Sequence, residues 1–161
     1  MATSRTEADA CTFLDTDHKA VKKMFKTYEE LTKSRARDTA QKKLELAREL
    51  CQALTVHASI EEEIFYPALQ EVMKKRDLLA EAQVEHAGAK DLIAQIEAMD
   101  EVDEMFDAKV TVLGEYIDHH VKEERNEIFP KARAARGLDL VGMREELQAR
   151  KEALMGMEEQ T

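Results

Sequence analysis

Two stretches of the chain carry a histidine and a glutamate at matched spacing and end on a matched proline. Residues 57–67 read HASIEEEIFYP and residues 120–130 read HVKEERNEIFP. In each, the glutamate follows the histidine by one helical turn (His57–Glu61, His120–Glu124), so both side chains leave one side of a helix. Leu50, Ala53 and Leu54 precede His57 on that side and Ile64 follows, so a carboxylate is aimed into an apolar core. An ionised carboxylate buried there is costly unless a partner compensates it. Two more histidines lie on inward stripes, His18 in DHKAVK (17–22) and His86 in EHAGAK (85–90). Imidazole suits iron, manganese, copper and zinc, and hard carboxylate oxygens can bridge two ions. Metal charge would also remove the cost of burying Glu61 and Glu124. Four imidazoles and two carboxylates converging in one core are thus the donor set of a pair of first-row transition metals. The competing reading is a set of satisfied structural histidines in a glutamate-rich chain, a metal-free structural or interaction bundle.

The elements that must position these residues follow from apolar periodicity. A first helix is expected from an N-cap near Thr16 to about Ser34, with His18, Val21, Phe25 and Tyr28 near one face. The second runs from about Thr39 towards Pro67, where the missing amide hydrogen predicts a kink or break. Asp77 reads as the N-cap of a third helix reaching about Met99, with Leu79, Ala82, His86, Ala89, Ile93 and Ile96 on one face. The fourth opens near Asp103, ends near Phe129, and carries Val110, Leu113, Ile117, His120 and Glu124 inward. A turn around Gly137 leads to a short fifth helix edged by Met143, Leu147 and Leu154. The fold class is therefore all-α, an up-down-up-down four-helix bundle with a short extra C-terminal helix. It forms a single domain over 1–161, with the bundle at about 13–133 and the extension at about 137–158. The order H, HxxxE, H, HxxxE is an internal repeat, which brings both halves' polar groups together near a pseudo-twofold axis.

His119 also starts an HxxxE pair, with Glu123. It is rotated by about 100° from His120 and has Glu115 and Glu123 one turn away, a solvated face. The proline offset selects His120 as the match of His57. Glu62 and Glu85 lie about 100° off the inner face in the same way, which assigns them to solvent.

Composition narrows the function class. A net charge of −10 argues against a nucleic-acid backbone or an anionic membrane as the main partner. Cys11 and Cys51 lie in different segments with no CxxC spacing, as expected of two reduced thiols in a cytosolic protein. No apolar run approaches the roughly 20 residues of a membrane span, and the N-terminus lacks a secretory signal, so the expected location is the cytoplasm.

The motifs around His18 (DHKAVKKMF), HASIEEEIFYP, Glu85-His86 and HHVKEERNEIFPKAR together resemble the hemerythrin family, specifically bacterial hemerythrin HHE cation-binding domains, over residues 13 to about 133. The segment from Leu138 to Met155 is similar to the extension many of these proteins carry. The resemblance implies a non-haem di-iron centre inside the bundle, with other divalent metals possible. Carried over by position, the ligands are His18, His57, Glu61, His86, His120 and Glu124, with both glutamates bridging. The chain departs from the oxygen carriers of the family. It has one histidine on the third helix, flanked a turn away by Ala82 and Lys90, and HxxxE rather than HxxxxD on the fourth. One metal then has a position open to water, another carboxylate or an exogenous molecule. Tyr116, one turn before His120, either points at that position or lines the pocket as a core tyrosine. The expected function is to bind or sense a small oxidant such as dioxygen, peroxide or nitric oxide. The alternative is a di-iron oxidoreductase of the peroxidase or nitric-oxide-reductase kind.

Overall fold

The computed structural model describes residues 9–74 and 77–159, with side chains to 156. Residues 1 to about 9, polar and expected from the sequence to be loose, lie almost wholly outside the described residues. Within them the chain is helical and has no strand.

Helix α1 spans Ala10–Thr32, seven residues more at its start than a cap at Thr16 implies. Asp9 is the true cap: its side chain accepts from the Thr12 amide at 2.9 Å, and Arg133 reaches it from the far end of the sequence at 2.9 Å. Thr16 lies inside the helix and donates its hydroxyl back to the Thr12 carbonyl. Helix α2 spans Thr39–Ile60. It does not break at Pro67. Instead residues Glu61–Phe65 form one wide π-helical turn, after which α3 continues over Tyr66–Val72 with the proline in its first turn. The Tyr66 amide bonds the Glu61 carbonyl, five residues back. The wider turn takes up the ring that a regular α-helix could not accommodate.

Helix α4 covers Asp77–Glu97, and α5 covers Glu104–Glu123, capped by Asp103 accepting from the Phe106 amide at 2.9 Å. The repeat then reappears in the backbone: a second π turn, Glu124–Ile128, precedes α6 (Phe129–Ala134), which has Pro130 in its first turn. Gly137 turns the chain with φ +82, a left-handed conformation that suits glycine. It leads to α7, Leu140–Glu159, whose 20 residues exceed what three apolar positions implied.

Short links make α1 and α2, and α4 and α5, neighbouring pairs; α1 also packs on α5, and α2 on α4. Helix α7 lies across α1, α2 and the first π turn. Two apolar clusters fill the interior. One contains Leu14, Ile60, Phe65, Leu79, Ile128 and Leu147; the other contains Val21, Tyr28, Leu50, Ile93, Phe106 and Leu113. The inward histidines fall between these clusters along each helix, so a polar layer is held between two apolar ones. Leu147 anchors α7 with no exposed surface. Its replacement by alanine is expected to cost about 2–5 kcal/mol, the usual range for a buried leucine. Denaturant unfolding would measure this, and a loss below about 1 kcal/mol would mean that α7 contributes little to the core.

Candidate metal centre

All six residues picked out by spacing meet in the polar layer. His18 comes from α1, His57 from α2, His86 from α4 and His120 from α5, and the two glutamates open the two π turns. Glu61 and Glu124 have no exposed surface, and the four histidines are 5–7% exposed. The imidazoles face inward in pairs through Nε2: His18 and His57 at 3.1 Å, His86 and His120 at 3.2 Å.

Each glutamate spans the two pairs. Glu61 Oε1 is 3.2 Å from Nε2 of both His57 and His86. Glu124 Oε1 is 3.1 Å from His18 Nε2 and 3.2 Å from His120 Nε2. Yet both Glu61 oxygens and Glu124 Oε1 accept no hydrogen bond: the neighbouring nitrogens approach without donor alignment. Fully buried carboxylate oxygens left this way would be expensive. The spacing has a simple reading. Donors about 2.1 Å from one metal at octahedral angles stand about 3.0 Å apart. The atoms are arranged around common points between them. Two such points can be drawn, one among His18, His57, Glu61 and Glu124, the other among Glu61, His86 and His120, with Glu61 common to both.

The outward nitrogens are fixed with equal regularity. Nδ1 of His18 pairs with Asp15 at 3.2 Å, that of His57 with Asp17 at 3.1 Å, that of His86 with Glu62 at 3.0 Å and that of His120 with Glu85 at 3.0 Å. A hydrogen on each Nδ1 leaves every Nε2 lone pair free to face inward, the tautomer a metal ligand requires. Three of these carboxylates are backed by a cation: Asp15 by Arg125, Asp17 by Lys151 and Glu62 by Lys90. The fourth, Glu85, faces the exposed His119 at 3.5 Å and lies beside Glu123.

Glu62 and Glu85 therefore do not have the purely solvated roles that their angular position assigned them. Each reaches a histidine on the neighbouring helix, a contact invisible to a projection of one helix. Asp15, Asp17 and Tyr66 were not singled out from the sequence at all. The repeat held a clue to Asp17, because an acid precedes the histidine in both DHKAVK and EHAGAK. Tyr66 was hidden by the π turn. At α-helical spacing Tyr66 faces away from Glu61, but the extra residue of the wide turn swings it inward. Its hydroxyl donates to Glu124 Oε2 at 3.1 Å and lies 3.2 Å from His120 Nε2 and 3.4 Å from His86 Nε2. It stands beside the second point, where α4 supplies a single histidine.

Tyr116 is not a core residue: it is 47% exposed. It sits on the rim of a cavity of about 30 Å³ that reaches all four histidines between Val21, Leu54, Ala89 and Ile93. That is room for one small molecule.

Charge in the layer is strongly coupled. Burial disfavours a charged His57, but Glu61's charge and the Asp17 hydrogen bond prevail and push it up from 6.5 to about 10. Burial opposes charge on His120 too, and Glu124 raises it to about 12. Burial works against an ionised Glu61, yet the His57 charge holds it well below the usual carboxylate value. Burial and the charges of Glu124 and Glu61 keep the Tyr66 phenol protonated. Without metal, therefore, protons on the imidazoles do the compensating. Cys11 and Cys51 are buried free thiols, raised by burial to about 12, and take no part in the cluster.

Comparison with known proteins agrees with this arrangement. No curated protein sequence matches the chain significantly. A solved structure, that of a hemerythrin HHE cation binding domain-containing protein from Mycobacterium kansasii, superposes with a TM-score of 0.75 at 22% identity, covering 92% of this chain and 88% of that one. At that identity the likeness speaks for the fold. The family model for the hemerythrin HHE cation binding domain matches residues 9–132. The chain belongs to the hemerythrin HHE cation-binding family, and its buried histidines and glutamates make it a metal-binding, hemerythrin-like helical bundle.

Proposed function

We propose that the centre holds two iron ions and binds or senses a small oxidant (dioxygen, peroxide or nitric oxide) in the cytoplasm. The observation that carries this reading is the convergence of four inward Nε2 atoms on buried carboxylate oxygens that accept no hydrogen bond. In it, His18 and His57 would hold one ion and His86 and His120 the other, with Glu61 and Glu124 supplying carboxylates between the two pairs. Bound iron supplies open coordination and electrons for a diatomic or peroxide ligand. The protein does the rest. The carboxylates on each Nδ1 fix ring orientation and raise the basicity of Nε2. Val21, Leu54 and Ile93 keep the approach apolar, limiting water while admitting a small molecule. No described helix is long and apolar enough to cross a membrane, which fits the proposed location.

Tyr66 supports a second reading, a di-iron oxidoreductase of the peroxidase or nitric-oxide-reductase kind. Its phenol lies among the Nε2 atoms on the side where α4 supplies a single histidine, and it can give a proton to a molecule held there. Sustained product formation with a chemical reductant separates the two: a single reaction per metal pair favours binding or sensing.

Ferrous iron added to the full chain without air is expected to be retained, and air should then produce a new near-ultraviolet absorption. Iron content well below one ion per chain would instead favour the metal-free bundle. Glu61→Gln is expected to weaken both positions, because Glu61 is common to them, while His86→Ala should leave about one ion per chain. Equal iron content in the two variants would count against a shared glutamate.

The pH dependence has a definite sign. In the metal-free chain the raised His57 contributes stability that is complete below 6.5 and lost as pH rises through about 10. The depressed Glu61 contributes above its ordinary 4.5 and is lost as pH falls below it. The metal-free melting temperature should therefore fall from pH 6.5 towards pH 10. Metal replaces the imidazole protons, so its stabilising effect should grow over the same range. Thermal melts with and without metal at pH 6 and pH 9 check this, and a metal effect larger at pH 6 would contradict it.

A further inference from the structure

The family match ends at residue 132, and α7 begins at Leu140, yet α7 reaches the centre. Lys151 Nζ bonds Asp17 Oδ1, while the other oxygen, Asp17 Oδ2, takes the hydrogen on His57 Nδ1 at 3.1 Å. The two oxygens of one carboxylate thus join a cation of the C-terminal helix to an inward histidine. The aspartate is well shielded, its side chain only 14% exposed, so little water competes for it. Lys151 is held in place as well: its ammonium lies 5.6 Å from the centre of the Phe13 ring. Helix α7 is seated by the fully buried Leu147 and by Met143. A second ion pair, Arg150 with Glu63, fastens the same helix to the first π turn at 3.0 Å and 3.1 Å, but that pair is exposed and touches no histidine partner.

We propose that Lys151 is a positioning and tuning residue of the first metal position, acting through Asp17 on His57. The C-terminal helix then belongs to the metal centre as well as to the core. The physical argument is one of competing partners. A carboxylate shared with Lys151 pulls less strongly on the Nδ1 hydrogen than a free one, so His57 is a less electron-rich ligand. A fixed positive charge near the centre also disfavours the oxidised, more positive metal. Both effects act in one direction: Lys151 holds the reduction potential up, and Asp17 holds it down.

This rests on the metal reading above. Its test is the midpoint potential of the iron-loaded full chain, measured by mediated redox titration alongside iron content. Lys151→Met keeps an unbranched side chain of similar length and removes the charge; it should lower the potential with iron content retained. Lys151→Arg should restore a value near the parent's. Asp17→Asn should shift the potential upward and weaken metal affinity about 10- to 100-fold, as loss of an orienting partner usually does. Arg150→Met weakens the docking of α7 without touching Asp17 and should leave the potential unchanged. Opposite shifts for Lys151→Met and Asp17→Asn are the expected signature, since a loosened helix would not produce opposite signs. Equal potentials in the parent and Lys151→Met, or equal shifts in Lys151→Met and Arg150→Met, overturn the proposal alone. Failure of the parent chain to take up iron overturns it together with the reading on which it rests.

Discussion

Two carboxylates with no exposed surface, Glu61 and Glu124, set the terms for the rest of this protein. An uncompensated charge in such a place is among the most destabilising features a core can contain. Everything around them alternates in charge outward. The carboxylates face imidazoles, the imidazoles face Asp15, Asp17, Glu62 and Glu85, and three of those acids face Arg125, Lys151 and Lys90. Surrounding a central pair of glutamates with four rings takes four directions of approach, which four helices supply with one histidine each. The apolar clusters above and below then exclude water, strengthening each link of the network.

The π turns are the local device that makes this geometry possible. Each begins on its buried glutamate and ends just before the helix carrying the proline. The extra residue changes the phase of the helix, so the residue five places beyond the glutamate faces the same side. In the first half that residue is Tyr66, whose phenol joins the cluster. In the second it is Phe129, whose ring stacks near His18 at 6.0 Å and offers no donor.

Much of this was legible in the sequence. The four helical rods, the inward face of each histidine and the choice of His120 over His119 all follow from periodicity and one repeated motif, because burial of an apolar stripe imposes them. What was not legible depends on facts beyond one helix. The start of α1 is set by Asp9, which is gripped by Arg133 from 124 residues away. Glu62 and Glu85 are misassigned by angle because their targets sit on a neighbouring helix. Tyr66 goes unnoticed because a regular helical count turns it away from Glu61, whereas the chain relieves Pro67 by widening a turn. A π turn has no strong composition of its own, and here only its recurrence at Glu124 and Pro130 marks it as a designed feature.

The internal repeat builds a symmetric frame, and the chemistry lies in where the symmetry is broken. By repeat position Asp17 matches Glu85, and each holds the HxxxE histidine of its own half, so that part of the frame is duplicated. Glu62 matches Arg125, where the charge is reversed: Glu62 bonds His86 directly, whereas Arg125 supports Asp15, which bonds His18. Tyr66 matches Phe129, placing a hydroxyl beside one histidine pair and only carbon beside the other. Asp17 has a lysine behind it where Glu85 has an exposed imidazole. Each difference moves the two positions apart in donor set or in surrounding charge. A duplicated bundle with identical halves would offer two equivalent sites. These substitutions instead separate a point ringed by four protein donors from one with three donors and a phenol beside them.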